Sequence, residues 1–254
     1  MDDDTPIEFR RSLTFFNNPV GDTIVFYTAD SLPKTVGIPP PSKQKENYLT
    51  KRFFIQSNIH NKTFKRVISI PKESIYYGND YFSSLIPIYC INKEKHFIDV
   101  NFPNEQKIYR YDINKNYRFI KTIDLGSDLF GDVEGIPWGK KPDNVLSFIQ
   151  RNSNYTKIFS FGDTLVTFYF KGLQEDEINF SIEKMNEEIL KIPKCIQLFI
   201  NEKKIGKDII LPKRIQHITY VYNLNRIIFY KGPNEFDENN NTNTFLIGKI
   251  DFNL

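Results

Sequence analysis

Five times along this 254-residue chain the same short unit recurs: an apolar strand, a polar turn, a second apolar strand. Phe53–Ile55 turns into Phe64–Ile70, Ile108–Tyr111 into Tyr117–Leu125, and Tyr155–Phe161, through Gly162-Asp163, into Thr164–Phe170. Ile196–Ile200 turns into Ile205–Leu211, and Ile215–Tyr222 into Arg226–Tyr230. Hairpins repeating over a whole chain restrict it to modular all-β architectures, and these intervals bracket the roughly 40–50 residues of a four-stranded propeller blade. The expectation is an all-β, propeller-like array of small antiparallel sheets, about 4–6 blades, complete or incomplete, with one short helical insertion. Residues 1–254 form a single domain in this reading, with 1–12 frayed and 31–47 a long loop.

Composition agrees. The 23 Phe and 14 Tyr, with abundant Ile and Val and almost no Ala, favour pleated, half-buried strands over helices. Pro33, Gly37 and Pro39–Pro41 block regular structure in the long loop, and Lys43–Glu46 reads as a charged, solvated stretch. Val145–Gln150 reads as a strand. Glu175–Lys191 carries Ile178, Ile182, Met185, Ile189 and Leu190 near helical spacing and supplies the helical insertion. Thr244–Phe252 reads as a final strand that pairs with the N-terminal region to close the fold.

Several function classes fall away. A net charge of +3 from 34 basic and 31 acidic residues does not mark a nucleic-acid partner, and none is expected. The three histidines, His60, His96 and His217, share no metal-ligand spacing, and Cys90 and Cys195 read as buried, unpaired thiols in apolar strands. No metal, cofactor or catalytic residue is expected. Gly-x-Ser-x-Gly and P-loop patterns are absent, and no apolar run is long enough to span a membrane.

Two stretches keep some functional content. Asp128, Asp132 and Glu134 lie in a Gly-containing loop beside the single Trp138, and an aromatic face with carboxylate acceptors suits a sugar ring. These four are the candidate ligand-binding residues. The same acids offer the pair that glycoside hydrolysis needs. Lys43, Lys45, Lys51, Arg52, Lys62, Lys65 and Arg66, interleaved with Tyr48, Phe53, Phe54 and Phe64, make the N-terminal third basic, a pattern that single-stranded nucleic-acid binders use; a solvated face explains it as simply.

The segments Lys107–Asp112 with Phe119–Leu125, and Cys195–Ile200 with Lys204–Pro212, resemble the blade hairpins of a family of uncharacterised β-propeller-like proteins of Bacteroidota, commonly lipoproteins, classed as a domain of unknown function. The resemblance implies a propeller of six blades or similar and a cell-envelope location, and it supplies no catalytic residues. The sequence departs from it in two ways. At about 40 residues per blade it is short for six, and it contains no lipobox, so a lipid anchor would require an upstream signal. The reading is therefore a non-enzymatic, propeller-type binding or scaffold module for a glycan or an envelope protein. The alternatives are a glycan- or peptide-acting hydrolase with acids at the propeller mouth, and nucleic-acid binding through the basic third.

Overall fold

Alternation decides which side chains reach which core. In a strand successive side chains face opposite ways, and here the central strands have apolar layers on both faces. The computed structural model describes residues 14–18, 21–28, 44–178, 192–233 and 243–249. Within them lie four small antiparallel sheets, arranged like the blades of a four-bladed propeller, and two short α-helices.

The first sheet is a meander of β1 (Thr14–Asn17), β2 (Thr23–Thr28), β3 (Phe54–Asn58) and β4 (Thr63–Val67). Helix α1 (Gln44–Thr50) lies between β2 and β3 in sequence. After a two-residue strand, β5 (Asp80–Tyr81), the second meander follows: β6 (Ile88–Asn92), β7 (Phe97–Asn101), β8 (Lys107–Asp112) and β9 (Arg118–Asp124). A further short strand, β10 (Ile136–Pro137), pairs with β5 and ties the intervening loop back. The approach is close: a Cβ on Gly135 would stand 2.7 Å from Asp80 Cβ, so only glycine fits.

Helix α2 (Val145–Arg151) leads into the third sheet, formed by β11 (Asn154–Phe161), β12 (Thr164–Phe170), β13 (Lys194–Ile200), β14 (Lys203–Lys204) and β15 (Ile209–Ile210). The fourth comprises β16 (His217–Asn223), β17 (Arg226–Pro233) and β18 (Asn243–Gly248). Consecutive sheets stack through their first strands: β11 lies against β6 and β7, and β16 against β11.

Three apolar cores fill the spaces between the four sheets. In β8, Tyr109 and Tyr111 face the first core while Ile108 faces the second. In β12 and β13, Leu165, Tyr169, Cys195 and Phe199 face the second, and Val166, Phe168, Ile196 and Leu198 face the third. This double duty explains why β7, β12 and β13 are buried almost throughout, whereas the outer strands β4 and β9 are almost wholly exposed. Tyr89 fastens the first sheet to the second: its ring meets Phe26 and Phe54, and its hydroxyl donates to Phe26 O at 2.8 Å.

Several sequence expectations need correction. Val145–Gln150 is helix, not strand; Val145, Phe148 and Ile149 follow helical spacing, and the Asn144 side chain accepts from Ser147 N at 3.0 Å as the N-cap. The long loop ends early, because Gln44–Thr50 is helical and buries Tyr48 against Phe53 and Trp138. Ile205–Leu211 is broken between β14 and β15, with Gly206 at φ +68° and Asp208 drawn inward between them. The C-terminal strand β18 pairs with β17, while most of the N-terminal region with which it is expected to close the fold lies outside the described residues. Cys195 is buried, Cys90 only half-buried, and both thiols are free. The frayed 1–12, the proline-rich part of the loop and most of the helical insertion lie outside the described residues; Glu175–Glu177, at the start of that insertion, forms a single 3-10 turn.

Candidate functional site

Between the first and second sheets the outer strands diverge and leave a cleft of about 610 Å³. One wall comes from the first sheet. Strand β4 contributes Lys65 and Arg66, Arg52 joins them from the start of the hairpin, and the departing chain adds Ile68–Glu73. The opposite wall is the β8–β9 hairpin, with Tyr111, Asn116, Tyr117 and Phe119; Tyr77 also lines the space.

A β-bulge assigns the β9 side chains. Arg110 pairs with Lys121 but Tyr111 pairs with Phe119, so Ile120 is the extra residue. Without the bulge, Phe119 and Lys121 would share a face. With it, Phe119 packs on Tyr111, ring centroids 5.7 Å apart, toward the cleft, and Lys121 points to the third sheet.

The cleft's cations are little used by the protein itself. Among the described residues, no carboxylate pairs with Arg52, Lys65, Arg66 or Lys72. Lys65 Nζ donates to Asn116 Oδ1 at 2.6 Å and stands 5.6 Å from the Tyr117 ring centre. Arg52 donates to the Arg66 carbonyl at 3.2 Å. Tyr77 and Phe119 are exposed. Tyr117 is buried, its hydroxyl has no hydrogen-bond partner among the described residues, and burial raises its pKa. Backbone strain gathers here too: Ile68, Asn116 and Tyr117 have φ of 59°, 54° and 59°. For a β-branched residue such as Ile68 that conformation is costly and needs support from its surroundings.

Beneath the wall sits Glu105. Its carboxylate accepts from Ser74 Oγ at 2.9 Å and from Ile75 N and Tyr109 OH, each at 3.2 Å, and so fixes the segment that leaves the cleft. Burial pushes its pKa up to about 7, against the pull of those donors.

The seam between the second and third sheets is built differently. Asp99 on β7 and Arg110 on β8 are cross-strand partners. The guanidinium donates to both Asp99 oxygens, at 2.7 and 2.9 Å, and to Glu202 at 2.5 Å, with its centre 3.6 Å above the Phe97 ring. Lys121 holds the other Glu202 oxygen at 2.6 Å. Burial lifts the Asp99 pKa, and the Arg110 bonds oppose that lift. Nearby, Asp208 receives Lys204, Ser127 and Tyr169. Burial works against its charge, but these donors outweigh it and keep its pKa low.

The residues singled out in the sequence lie elsewhere. Asp128, Asp132 and Glu134 are exposed on the loop after β9. Their loop is held through its backbone, with Gly131 N donating to Ser153 Oγ and Glu134 N to Asn152 Oδ1. Trp138 is half-buried between Tyr48 and Tyr81, and its Nε1 is buried with no hydrogen-bond partner among the described residues. None of the four lines the cleft or the seam. Of the basic stretch, Arg52, Lys65 and Arg66 do line the cleft, but Tyr48, Phe53 and Phe54 are core residues, and Phe64 alone of its aromatics is exposed. The cleft's aromatics come instead from Tyr77 and the second sheet. Only the high aromatic content signalled them in the sequence.

No family model matches this sequence, and no curated protein matches it. Its fold is similar to the crystal structure of a DUF4221 family member from Bacteroides vulgatus, with a TM-score of 0.57 and 14% sequence identity. The match covers 94% of this chain and 64% of that one, so the chain spans a little under two-thirds of that protein's length. At such low identity the likeness establishes fold alone.

Proposed function

We propose that this chain is a non-enzymatic binding or scaffold module of propeller type, and that its ligand, a glycan or an envelope protein, docks in the cleft between the first and second sheets. One observation carries the reading: Arg52, Lys65, Arg66 and Lys72 gather there with no carboxylate partner among the described residues, opposite exposed aromatic rings. Pockets of this volume commonly hold small ligands, and polar groups unused by the protein's own packing are available to fix them. The buried carboxylates support the non-enzymatic half. Asp99, Glu105 and Asp208 each accept two or more hydrogen bonds from the protein's own side chains and backbone, as structural carboxylates do. An envelope setting with a lipid anchor is the context suggested by the sequence resemblance.

The test is a glycan array read with the parent and with a Tyr77→Ala/Phe119→Ala variant. Binding that vanishes in the variant while its melting temperature holds is the expected result; binding unaffected by the double substitution removes the cleft as the site. A second reading places a carbohydrate on the loop of Asp128, Asp132, Glu134 and Trp138. The exposed carboxylates of Asp128, Asp132 and Glu134 on the loop that leads to the half-buried Trp138 favour it, and Trp138→Ala would weaken that binding without unfolding the chain.

A further inference from the structure

Resting on the reading of the cleft as a ligand site, we infer that the ligand is an acidic oligosaccharide, one whose rings carry carboxylate groups. Three features of the lining argue this together.

The first is charge. Arg52, Lys65, Arg66 and Lys72 face Glu73 as the only acid in the lining, and none of the four is ion-paired among the described residues. On the other side of the second sheet the cations of the seam are matched: Arg110, Lys121 and Lys95 each hold a carboxylate. A guanidinium is suited to bidentate capture of a planar carboxylate. The second is the pair of exposed rings, Tyr77 and Phe119, whose apolar faces suit the C–H face of a sugar. The third is hydroxyl recognition: Asn116, Ser69 and Glu73 present amide, hydroxyl and carboxylate groups that match a polyhydroxylated ring.

Single-stranded nucleic acid shares the charge and the stacking, but it is held along an extended basic groove that follows the backbone. Here the cations lie along one wall of a single cleft of about 610 Å³, and the chain's net charge is only +3. The shape favours a short saccharide.

The experiment titrates the full chain by calorimetry with trigalacturonate, with its fully methyl-esterified form, and with octathymidylate. Trigalacturonate should bind, its neutral ester at least about tenfold more weakly, and Arg66→Ala should weaken the acid by about tenfold, the scale of one lost charged hydrogen bond. Arg66 is exposed, so the variant keeps its fold, and an unchanged melting temperature verifies that. If the ester binds as tightly as the acid and Tyr77→Ala/Phe119→Ala abolishes both, the cleft is a neutral-glycan site: the acidic ligand is refuted and the binding module survives. If octathymidylate binds tighter than trigalacturonate, the ligand class is wrong. If no saccharide binds, here or on the array, the acidic oligosaccharide is refuted and the proposed function keeps only its protein ligand.

Discussion

The cleft and the seam lie on opposite sides of the second sheet and are made from the same kinds of residue. Each has arginine and lysine beside aromatic rings, and each is bordered by residues in the left-handed region, Ile68, Asn116 and Tyr117 at one, Asn201 and Glu202 at the other. What separates them is pairing. In the seam every charge of Arg110, Asp99, Glu202 and Lys121 is answered by another, and the space left is about 250 Å³. In the cleft no cation meets a carboxylate among the described residues, and the space is more than twice as large. Residue type therefore does not distinguish a structural joint from a binding surface; the presence of partners within reach does. The bulge at Ile120 is where the two meet, since it sends Phe119 to one and Lys121 to the other.

The comparison breaks most visibly if the arginines on its two sides prove interchangeable. Arg110→Leu leaves Asp99, which is 0% exposed, as a buried charge without its partner. The expected loss is about 3–5 kcal/mol in urea unfolding, and Asp99→Asn added to it should restore part of that. Arg66→Ala, on the exposed face, should stay within about 0.5 kcal/mol of the parent. Equal losses at the two sites would mean that the cleft arginine is structural after all.

A second prediction concerns the cleft's wall. Glu105 has a folded-state pKa of about 7 against an ordinary 4.5, so the folded chain holds this proton more tightly than the unfolded one. The stability it contributes is complete below about pH 4.5 and is lost as the pH rises through 7. The shift corresponds to about 3 kcal/mol between those limits. Denaturant unfolding of the parent and of Glu105→Gln across pH 4–8 measures it. The glutamine variant should gain on the parent as pH rises, levelling above about pH 7; a constant difference across the series would show that the carboxyl ionises normally.

These two regions also mark what the sequence could and could not convey. The hairpin β11–β12 was legible to within a residue, because Gly162-Asp163 interrupts two long apolar runs with no competing signal. Helix α2 was not. Its seven residues are apolar at adjacent as well as helically spaced positions, so the run reads as a strand until Asn144 is recognised as a cap. The pairing of β18 with β17 was not legible, because an apolar strand does not specify its neighbour; the register of Tyr230 with Phe245 fixes it. Arg52, Lys65 and Arg66 stood out as a basic stretch, but apart from Tyr77 their aromatic counterparts, Tyr111, Tyr117 and Phe119, are some 45 to 67 residues away on another sheet. That juxtaposition is made by the packing of sheet on sheet. The Asp99–Arg110 pair was invisible for a similar reason: each residue looks like an ordinary charge in a strand until both are placed between two cores.

The smallest effect sharpens the comparison from within the seam. Asn201 and Glu202 occupy the β13–β14 turn with φ of 49° and 65°, a geometry that favours glycine at the second position. Glu202→Gly should relieve about 1 kcal/mol of backbone strain. It also removes the carboxylate that bridges Arg110 and Lys121. With a third of that side chain exposed, solvent screening limits the two pairs together to about 1 kcal/mol. The two changes nearly cancel, and the expected net effect is within about 0.5 kcal/mol of zero at low salt. Salt then separates them. Screening weakens the ion pairs but leaves the turn strain untouched, so at high salt the glycine variant should become the more stable protein. Urea unfolding at two ionic strengths reads the crossover. A loss above about 2 kcal/mol that salt does not reduce would mean that Arg110 depends on both carboxylates, and that the seam is a single cooperative joint rather than a buried pair with a surface addition.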